Sequence, residues 1–219
     1  MLFIVTIIIL NINDKNSYYS QTKYYLLSLD ETTNKNYVSL CQEEVDKLIG
    51  SSYIYKKGNV YHMIGFVYYN ESEANYYLDS AKSVFSKAKV VTISANKIKK
   101  SIKNQIKQDI NIKCLYEFLC EINNKIYDLL KQENLKYDNK QVYRKLEEII
   151  IKLNDKYRRI EDKNSVLLEK MKISYSVCKS WIEICQEEIY LGDVVDNLKK
   201  LFINLCLEQI SFRNSLNAV

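Results

Sequence analysis

The spacing of hydrophobic positions divides the chain into two parts. Between residues 23 and 95, short apolar and aromatic runs alternate with stretches of helical spacing, in the order β-α-β-β-α-β. From residue 96 onward, hydrophobic positions recur every three to four residues, which predicts amphipathic helices that share a core. The pattern therefore predicts an α+β protein, in which a small ferredoxin-like domain precedes an α-helical bundle.

Local sequence signals give the boundaries of the elements in the first part. Gly50 follows a stripe of helical spacing, at a position where a helix commonly ends. Gly58 and Asn59 separate two aromatic-rich runs, which predicts a β-hairpin, and Asn70 offers a cap for a second helix. The predicted strands are residues 23–29, 52–56, 60–69 and 89–94. Because both helices of such a domain pack on one side of the sheet, we expect the other face to be solvated or to bind a ligand.

The helical stripes of the second part have recognisable breaks. One lies near residues 109–111, a polar turn spans residues 134–139, and Gly192 followed by Asp193 marks a third. We expect roughly three to five helices to pack as an antiparallel bundle. The predicted organisation is an apolar segment at residues 1–12, a linker at 13–22, the small domain at 23–95 and the helical region at 96–219.

Residues 1–12 (MLFIVTIIILNI) are almost entirely apolar. A helix of that length would rise about 18 Å, which is shorter than a hydrocarbon core of about 30 Å. The basic start and small-residue cleavage site of a secretory signal are both missing. Three interpretations remain: the end of a membrane span that begins upstream, a degenerate signal segment, or a buried first strand. The first is favoured, and it predicts a single-pass cell-membrane protein with most of the chain outside the cytoplasm.

Composition and motifs argue against a catalytic role. The chain has 219 residues, no proline, a net charge of +5 and one histidine, His62. Walker-type, dinucleotide-binding, nucleophile-elbow and zinc-protease motifs are absent from the sequence. A Ser–His or Cys–His arrangement would have to use His62, whose place within a predicted strand is more typical of a structural residue. We therefore expect a non-enzymatic protein without cofactor or metal, and cysteines that behave as buried thiols.

Residues 58–66 (GNVYHMIGF), followed by Ala74 and Leu78, resemble the second half of a sporulation-related repeat (SPOR) domain. In that family, a strand of the type G-x-x-Y-x-V-x-x-G-x-F leads into a helix that carries an alanine and then a leucine. The first strand is degenerate, since residues 28–30 (SLD) replace the Gln-Gly-aromatic sequence usual in the family. The resemblance implies the β-α-β-β-α-β fold and binding of peptidoglycan glycan strands through the exposed sheet face. It also implies a membrane anchor and a role in cell division or sporulation.

Two other functions fit the same features. Residues 65–69 (GFVYY) match the last five positions of the third-strand octamer of an RNA-recognition motif, whose aromatic side chains stack on bases. Residues 62–64 do not match the basic-Gly-aromatic start of that octamer, so nucleic acid is the less favoured partner. The third interpretation is an interaction scaffold whose helical region binds a partner protein.

Aromatic side chains on the predicted strands are the candidate ligand-binding residues. Sugars stack on aromatic rings while neighbouring polar groups bind their hydroxyls. The candidates are Tyr25, Tyr53, Tyr55, Tyr61 and Phe66. Tyr25 and Tyr61 are favoured for the ligand face, whereas Phe66 has no polar group and is expected to pack inward.

Overall fold

A computed structural model describes residues 17–50, 52–133, 138–160, 165–189 and 193–218. Within these ranges the elements are β1 (Thr22–Thr32), α1 (Val38–Ile49), β2 (Tyr53–Lys57), β3 (Val60–Tyr68), α2 (Glu71–Lys82), β4 (Lys89–Ala95), α3 (Lys100–Gln108), α4 (Ile110–Glu133), α5 (Asn139–Arg158), α6 (Val166–Ile189) and α7 (Val194–Asn217). The α+β class and the order of strands and helices predicted from the sequence are therefore confirmed.

The four strands form one sheet in the order β2-β3-β1-β4, and every neighbouring pair is antiparallel. Strand β3 lies between β1 and β2, and β1 lies between β3 and β4. Each strand-helix-strand connection therefore passes over one intervening strand. The register between β1 and β3 shifts on both sides of Ser28, which introduces an irregularity at the centre of the sheet.

The local signals read from the sequence act as expected. The Asn70 side chain accepts a hydrogen bond from the backbone N–H of Glu73 at 2.6 Å and caps α2. Gly58 has φ +61° in the turn between β2 and β3, and Gly50 ends α1 with φ +85°. The predicted break near residue 109 is also present, because the Asp109 carboxylate accepts backbone N–H groups at the start of α4.

One face of the sheet packs against α1 and α2. Its apolar side chains include Leu27, Leu29 and Met63, and they share a core with Val45 of α1 and Ala74 of α2. This is the packing predicted for the first part of the chain. The alternate positions of the same strands point to the opposite side of the sheet.

The opposite face of the sheet packs against the helical region. Tyr24, Leu26 and Val91 belong to one core cluster with Leu115 of α4 and Phe202 of α7. All five side chains are buried. The expectation of an open sheet face is therefore wrong. The side chains on this face are apolar along β1 and β4, so their exposure to water would be unfavourable. Helices of the second part bury this face, and no ligand is required to do so.

Polar contacts reinforce the packing between the sheet and the helical region. The Tyr24 hydroxyl donates a hydrogen bond to Gln209 of α7 and accepts one from Asn123 of α4 at 2.9 Å. Arg213 of α7 donates hydrogen bonds to the side chain of Thr22, the first residue of β1, and to the backbone carbonyl of Ser20, which precedes the strand. Because these hydrogen bonds form only in one arrangement, they fix the position of α4 and α7 on the sheet.

All six cysteines are free, and Cys120, Cys178, Cys185 and Cys206 are buried. Burial raises the pKa of Cys178 and of Cys185 to about 12, so these thiols remain protonated and unreactive near neutral pH. The prediction of buried thiols is therefore confirmed for four of the six cysteines, whereas Cys41 and Cys114 are only half-buried.

No helix in the described part of the chain combines the length and apolarity that crossing a bilayer requires. The predicted anchor, residues 1–12, lies outside the described residues.

Candidate functional site

The four predicted ligand-binding tyrosines lie on both faces of the sheet. Tyr25 and Tyr61 pack beside α1 and α2, whereas Tyr53 and Tyr55 pack on the side of the helical region. Tyr25 pairs with Tyr68 on β3, seven positions from Tyr61, so the two favoured residues are about 23 Å apart along the strand. The structure therefore does not bring the four rings together on one platform.

Each of these tyrosines has contacts within the protein. The Tyr61 ring lies 5.0 Å from the Nζ atom of Lys56, and the Tyr55 ring stacks on His62 with centroids 6.4 Å apart. Tyr53 lies beside Trp181 of α6 in a cleft at the edge of the sheet. Burial raises the pKa of Tyr53 and of Tyr55. Tyr53 and Tyr55 therefore take part in packing against the helical region.

A groove of about 680 Å³ opens on the sheet face that carries α1 and α2. Leu27 and Leu29 of β1, Phe66 and Tyr68 of β3, and Tyr77 of α2 line it. The volume lies in the range of about 300–1,000 Å³ that is usual for ligand sites, and aromatic and aliphatic linings are typical of such sites. We call this feature the aromatic groove.

Two adjacent tyrosines of α2 are exposed: Tyr77 lines the aromatic groove, and Tyr76 lies beside Tyr77. Tyr76 is 72% exposed and Tyr77 is 46% exposed. The ring of Tyr77 stacks on Tyr68, with centroids 5.3 Å apart and planes 15° apart, while the Tyr76 ring meets Tyr77 edge-on. The contacts with Tyr68 and Tyr76 hold the ring of Tyr77 in place, while nearly half of the residue remains exposed to solvent.

The polar groups of the aromatic groove are few. The Tyr127 hydroxyl of α4 donates a hydrogen bond to Glu73 at 3.3 Å, and burial, with Glu73 close by, raises the pKa of Tyr127 to about 12. Lys199 of α7 also lines the groove, where its Nζ atom lies 3.3 Å from Asp196. Because no imidazole or thiol is among the lining residues, the groove offers contact surface and hydroxyl groups more than proton transfer near pH 7.

His62 lies within a buried polar cluster, on the sheet face that packs against the helical region. Its Nδ1 atom is 3.3 Å from the Ser28 hydroxyl and 3.3 Å from a carboxylate oxygen of Glu31. A Ser–His–acid relay uses both ring nitrogens, one for the nucleophile and one for the acid. Here Ser28 and Glu31 approach the same nitrogen, and Ser28 is fully buried. The geometry is that of a structural histidine.

We expect the His62 cluster to make the stability of the protein sensitive to acid. Burial lowers the pKa of His62, Glu31 opposes that shift, and Lys89 and Lys57 add to it. The folded state therefore takes up this proton less readily than the unfolded state, and stability present above pH 6.5 is lost as the pH falls below that value. The measurement is urea unfolding of the native chain and of His62→Gln from pH 7.5 to 5.5. The difference in free energy of unfolding between the native chain and His62→Gln should shrink as the pH falls. An equal loss of stability in both proteins would contradict the prediction.

No group of histidine, cysteine, aspartate and glutamate side chains suited to a metal ion occurs among the described residues. The sequence did not predict the aromatic groove because its residues come from separate elements: β1, β3, α1, α2, α4 and α7. One signal was visible: Tyr76 and Tyr77 are adjacent on a helix, so at least one of the rings must point away from the core.

Comparisons of the chain with protein-family models, with curated proteins and with solved structures find no match.

Proposed function

We propose that this protein is a non-catalytic interaction protein, whose aromatic groove takes an apolar segment of a partner protein. The observation that carries the proposal is the contrast between the two sheet faces. One face is covered by α4 and α7, whereas the other leaves a groove of about 680 Å³ open, lined mainly by side chains of the sheet and α2 and bordered by residues of α4 and α7.

The lining of the aromatic groove favours a protein segment as its ligand. Leu27, Leu29 and Phe85 offer aliphatic and aromatic surface, while Ser80 and Glu73 are among the few polar lining residues. A peptide side chain gains from such a surface by burying apolar area, at about 25 cal/mol per Å². Exposed aromatic residues such as Tyr77 are also enriched among the residues that dominate protein interfaces.

A glycan strand of the cell wall is the second candidate ligand, and Tyr76 and Tyr77 favour it because their exposed rings could stack on sugars. This alternative keeps the SPOR resemblance but moves the ligand to the groove, away from Tyr25, Tyr61, Tyr53 and Tyr55. The glycan proposal includes a ferredoxin-like small domain. The strand order β2-β3-β1-β4, in which each strand-helix-strand connection passes over one strand, supports this part of the proposal. It also includes a membrane anchor at residues 1–12, supported by their apolar sequence. An RNA-binding role has less support, because the aromatic residues of the segment 65–69 do not form one open face: Phe66 and Tyr68 line the aromatic groove, whereas Tyr69 packs against Phe202 of α7.

The test is a photo-crosslinking residue placed at position 77 of the full chain in its native cells. Irradiation should give a discrete adduct with a protein, identified by mass spectrometry, because a bound segment would lie against the Tyr77 ring. Position 37 is the matched control, since Tyr37 is 55% exposed and does not line the groove. Adding Ala81→Trp, which fills the groove from α2, should abolish the adduct. Equal adducts from positions 77 and 37 would contradict the proposal.

Co-sedimentation of the full chain with purified peptidoglycan decides between the two ligands. Retention that is lost in the double variant Tyr76→Ala/Tyr77→Ala, but kept in Tyr37→Ala, would establish the glycan and displace the protein partner. Single-stranded RNA at two salt concentrations is the parallel arm, because phosphate contacts weaken steeply with salt. Retention on peptidoglycan that is unchanged in the double variant would contradict a glycan site in the groove.

A further inference from the structure

Five lysines lie between the end of β4 and the end of α3, in a segment, residues 96–108, that has no acidic residue. Lys103 is half-buried and the other four are exposed. Within α3, Lys100, Lys103 and Lys107 follow the spacing i, i+3, i+7, so they share one face of the helix. None of the five side chains forms an ion pair with another described residue. We call this surface the lysine patch; its members are Lys97, Lys99, Lys100, Lys103 and Lys107.

The backbone that carries the lysine patch is fixed to the rest of the fold. Ile102 and Ile106, on another face of α3, are buried in the core of the helical region. Before the helix, the side chain of Asn217 on α7 accepts a hydrogen bond from the Lys99 N–H at 3.0 Å and donates one to the Lys97 carbonyl at 3.1 Å. The lysines are therefore presented together by a well-packed part of the molecule.

The acidic residues of α4 that lie near this region have partners of their own. A carboxylate oxygen of Glu117 is 3.9 Å from the Nζ atom of Lys113, and Glu121 accepts a hydrogen bond from the Tyr18 hydroxyl at 2.6 Å. The lysine patch therefore keeps an excess of positive charge, which attracts an anionic surface.

Tyr19 connects the lysine patch with the N-terminal part of the chain. Its ring lies 5.0 Å from the Nζ atom of Lys103 and 5.6 Å from that of Lys107, and its backbone carbonyl accepts a hydrogen bond from the Ile98 N–H at 3.0 Å. The apolar segment ends at Ile12, seven residues before Tyr19. Because seven residues extend over at most about 25 Å, the end of the apolar segment lies within that distance of Tyr19.

The combination of an apolar segment and a basic surface favours a lipid bilayer as the partner. A bilayer offers hydrocarbon to the apolar residues and anionic headgroups to the lysines, and stable attachment commonly needs both signals. Single-stranded nucleic acid is the competing polyanion, and proteins that bind it usually stack its bases on exposed aromatic rings. Tyr19, whose ring lies beneath two of the lysines, is only 2% exposed. The surroundings of the patch therefore suit headgroups better than bases.

We propose that the lysine patch docks on the anionic headgroups of a lipid bilayer and holds α3 against the surface that residues 1–12 enter. Each lysine that reaches such a surface strengthens binding about fivefold, so the three lysines of the common α3 face contribute about 100-fold. The linker between residue 12 and Tyr19 keeps these lysines close to the headgroups, which raises their effective concentration there. The proposal does not depend on the aromatic groove.

The experiment is co-sedimentation of the full chain with vesicles of phosphatidylcholine alone and with vesicles of phosphatidylcholine and phosphatidylglycerol in equal parts. Binding to the anionic vesicles should be the tighter, and sodium chloride should weaken it because salt screens exposed charges. The triple variant Lys100→Gln/Lys103→Gln/Lys107→Gln should bind the anionic vesicles about 100-fold more weakly. The double variant Lys100→Gln/Lys107→Gln, which keeps the half-buried Lys103, should bind about 25-fold more weakly and keeps the test valid if the triple variant fails to fold.

Lys140→Gln/Lys145→Gln/Lys152→Gln is the matched control, since it removes three exposed lysines from α5 and changes the net charge equally. This variant should bind the anionic vesicles as the native chain does. Equal binding of the native chain to both kinds of vesicle, or equal losses in the two triple variants, would overturn the proposal. Single-stranded RNA that binds more tightly than the anionic vesicles, and is lost in the α3 triple variant, would assign the patch to nucleic acid instead. Ala81→Trp, which fills the aromatic groove, should leave vesicle binding unchanged, so the two sites are tested separately.

Discussion

Replacing Phe202 by alanine is expected to lower the free energy of unfolding by about 3–5 kcal/mol, the usual cost of removing a buried aromatic ring. Phe202 of α7 is fully buried, and its ring contacts Phe66, Tyr69 and Tyr127 at centroid distances of 5.8, 5.8 and 5.3 Å. Two of these residues belong to β3 and its end, and the third belongs to α4. The cavity left by the substitution would therefore weaken the sheet and the helical region together.

Urea unfolding followed by Trp181 fluorescence and by far-UV circular dichroism measures this effect. Trp181 lies in α6, so fluorescence reports on the helical region, while circular dichroism reports on all elements. The two transitions should coincide in the native chain and shift together to lower urea in Phe202→Ala. Ile151→Ala is the control, because Ile151 is 55% exposed and its loss should change stability by less than about 0.5 kcal/mol. Separate transitions for the two probes would contradict a shared core.

Replacing Gly50 by alanine is expected to lower the free energy of unfolding by about 2–5 kcal/mol. Gly50 has φ +85°, which a residue with a side chain adopts at a cost of roughly 1–2 kcal/mol. A Cβ atom there would also overlap the carboxylate of Asp196 on α7, which is 3.3 Å from its ion-pair partner Lys199. Relieving that overlap would move the first turn of α7 or break the ion pair, at a further cost of roughly 1–3 kcal/mol.

Gly58→Ala is the matched control for Gly50→Ala. Gly58 has φ +61°, but apart from its neighbours in the chain no atom of the described residues lies within 4 Å of the position of its Cβ. Its replacement should therefore cost only the conformational term of about 1–2 kcal/mol. Thermal unfolding of both variants separates the two contributions, and the difference between them measures how closely the end of α1 contacts α7. A loss in Gly58→Ala equal to that in Gly50→Ala would show that the contact with Asp196 has no energetic weight.

The order and approximate boundaries of the elements could be predicted because they depend on local interactions. Gly50, Gly58 and Asn70 each act within a few residues of their own position, through a positive φ or a side-chain cap. The break before α4 is of the same kind, since Asp109 binds the N–H groups of the residues that follow it. Such signals keep their meaning in any tertiary context, so the sequence alone was sufficient to predict the α+β class and the helical second part.

Only the tertiary structure showed that the helical region packs on the second side of the sheet, opposite α1 and α2. Tyr24, Leu26 and Val91 were visible as apolar positions, but the same pattern fits an open platform for a ligand and a surface for helices. The choice depends on whether α4 and α7 reach that face, and on partners such as Gln209, which lies 185 positions from Tyr24 in the sequence. Hydrophobic burial is non-directional, so an apolar stripe predicts that something covers it without naming what.

The sequence by itself determined the secondary structure and the absence of known catalytic motifs, because these depend on residue type and short-range spacing. Only the tertiary structure decided which tyrosines are accessible: it divided Tyr25 and Tyr61 from Tyr53 and Tyr55, and it left Tyr77 at an open rim. Whether a polar group has a partner depends on atoms brought together by folding, and residue spacing along the chain carries no information about such contacts.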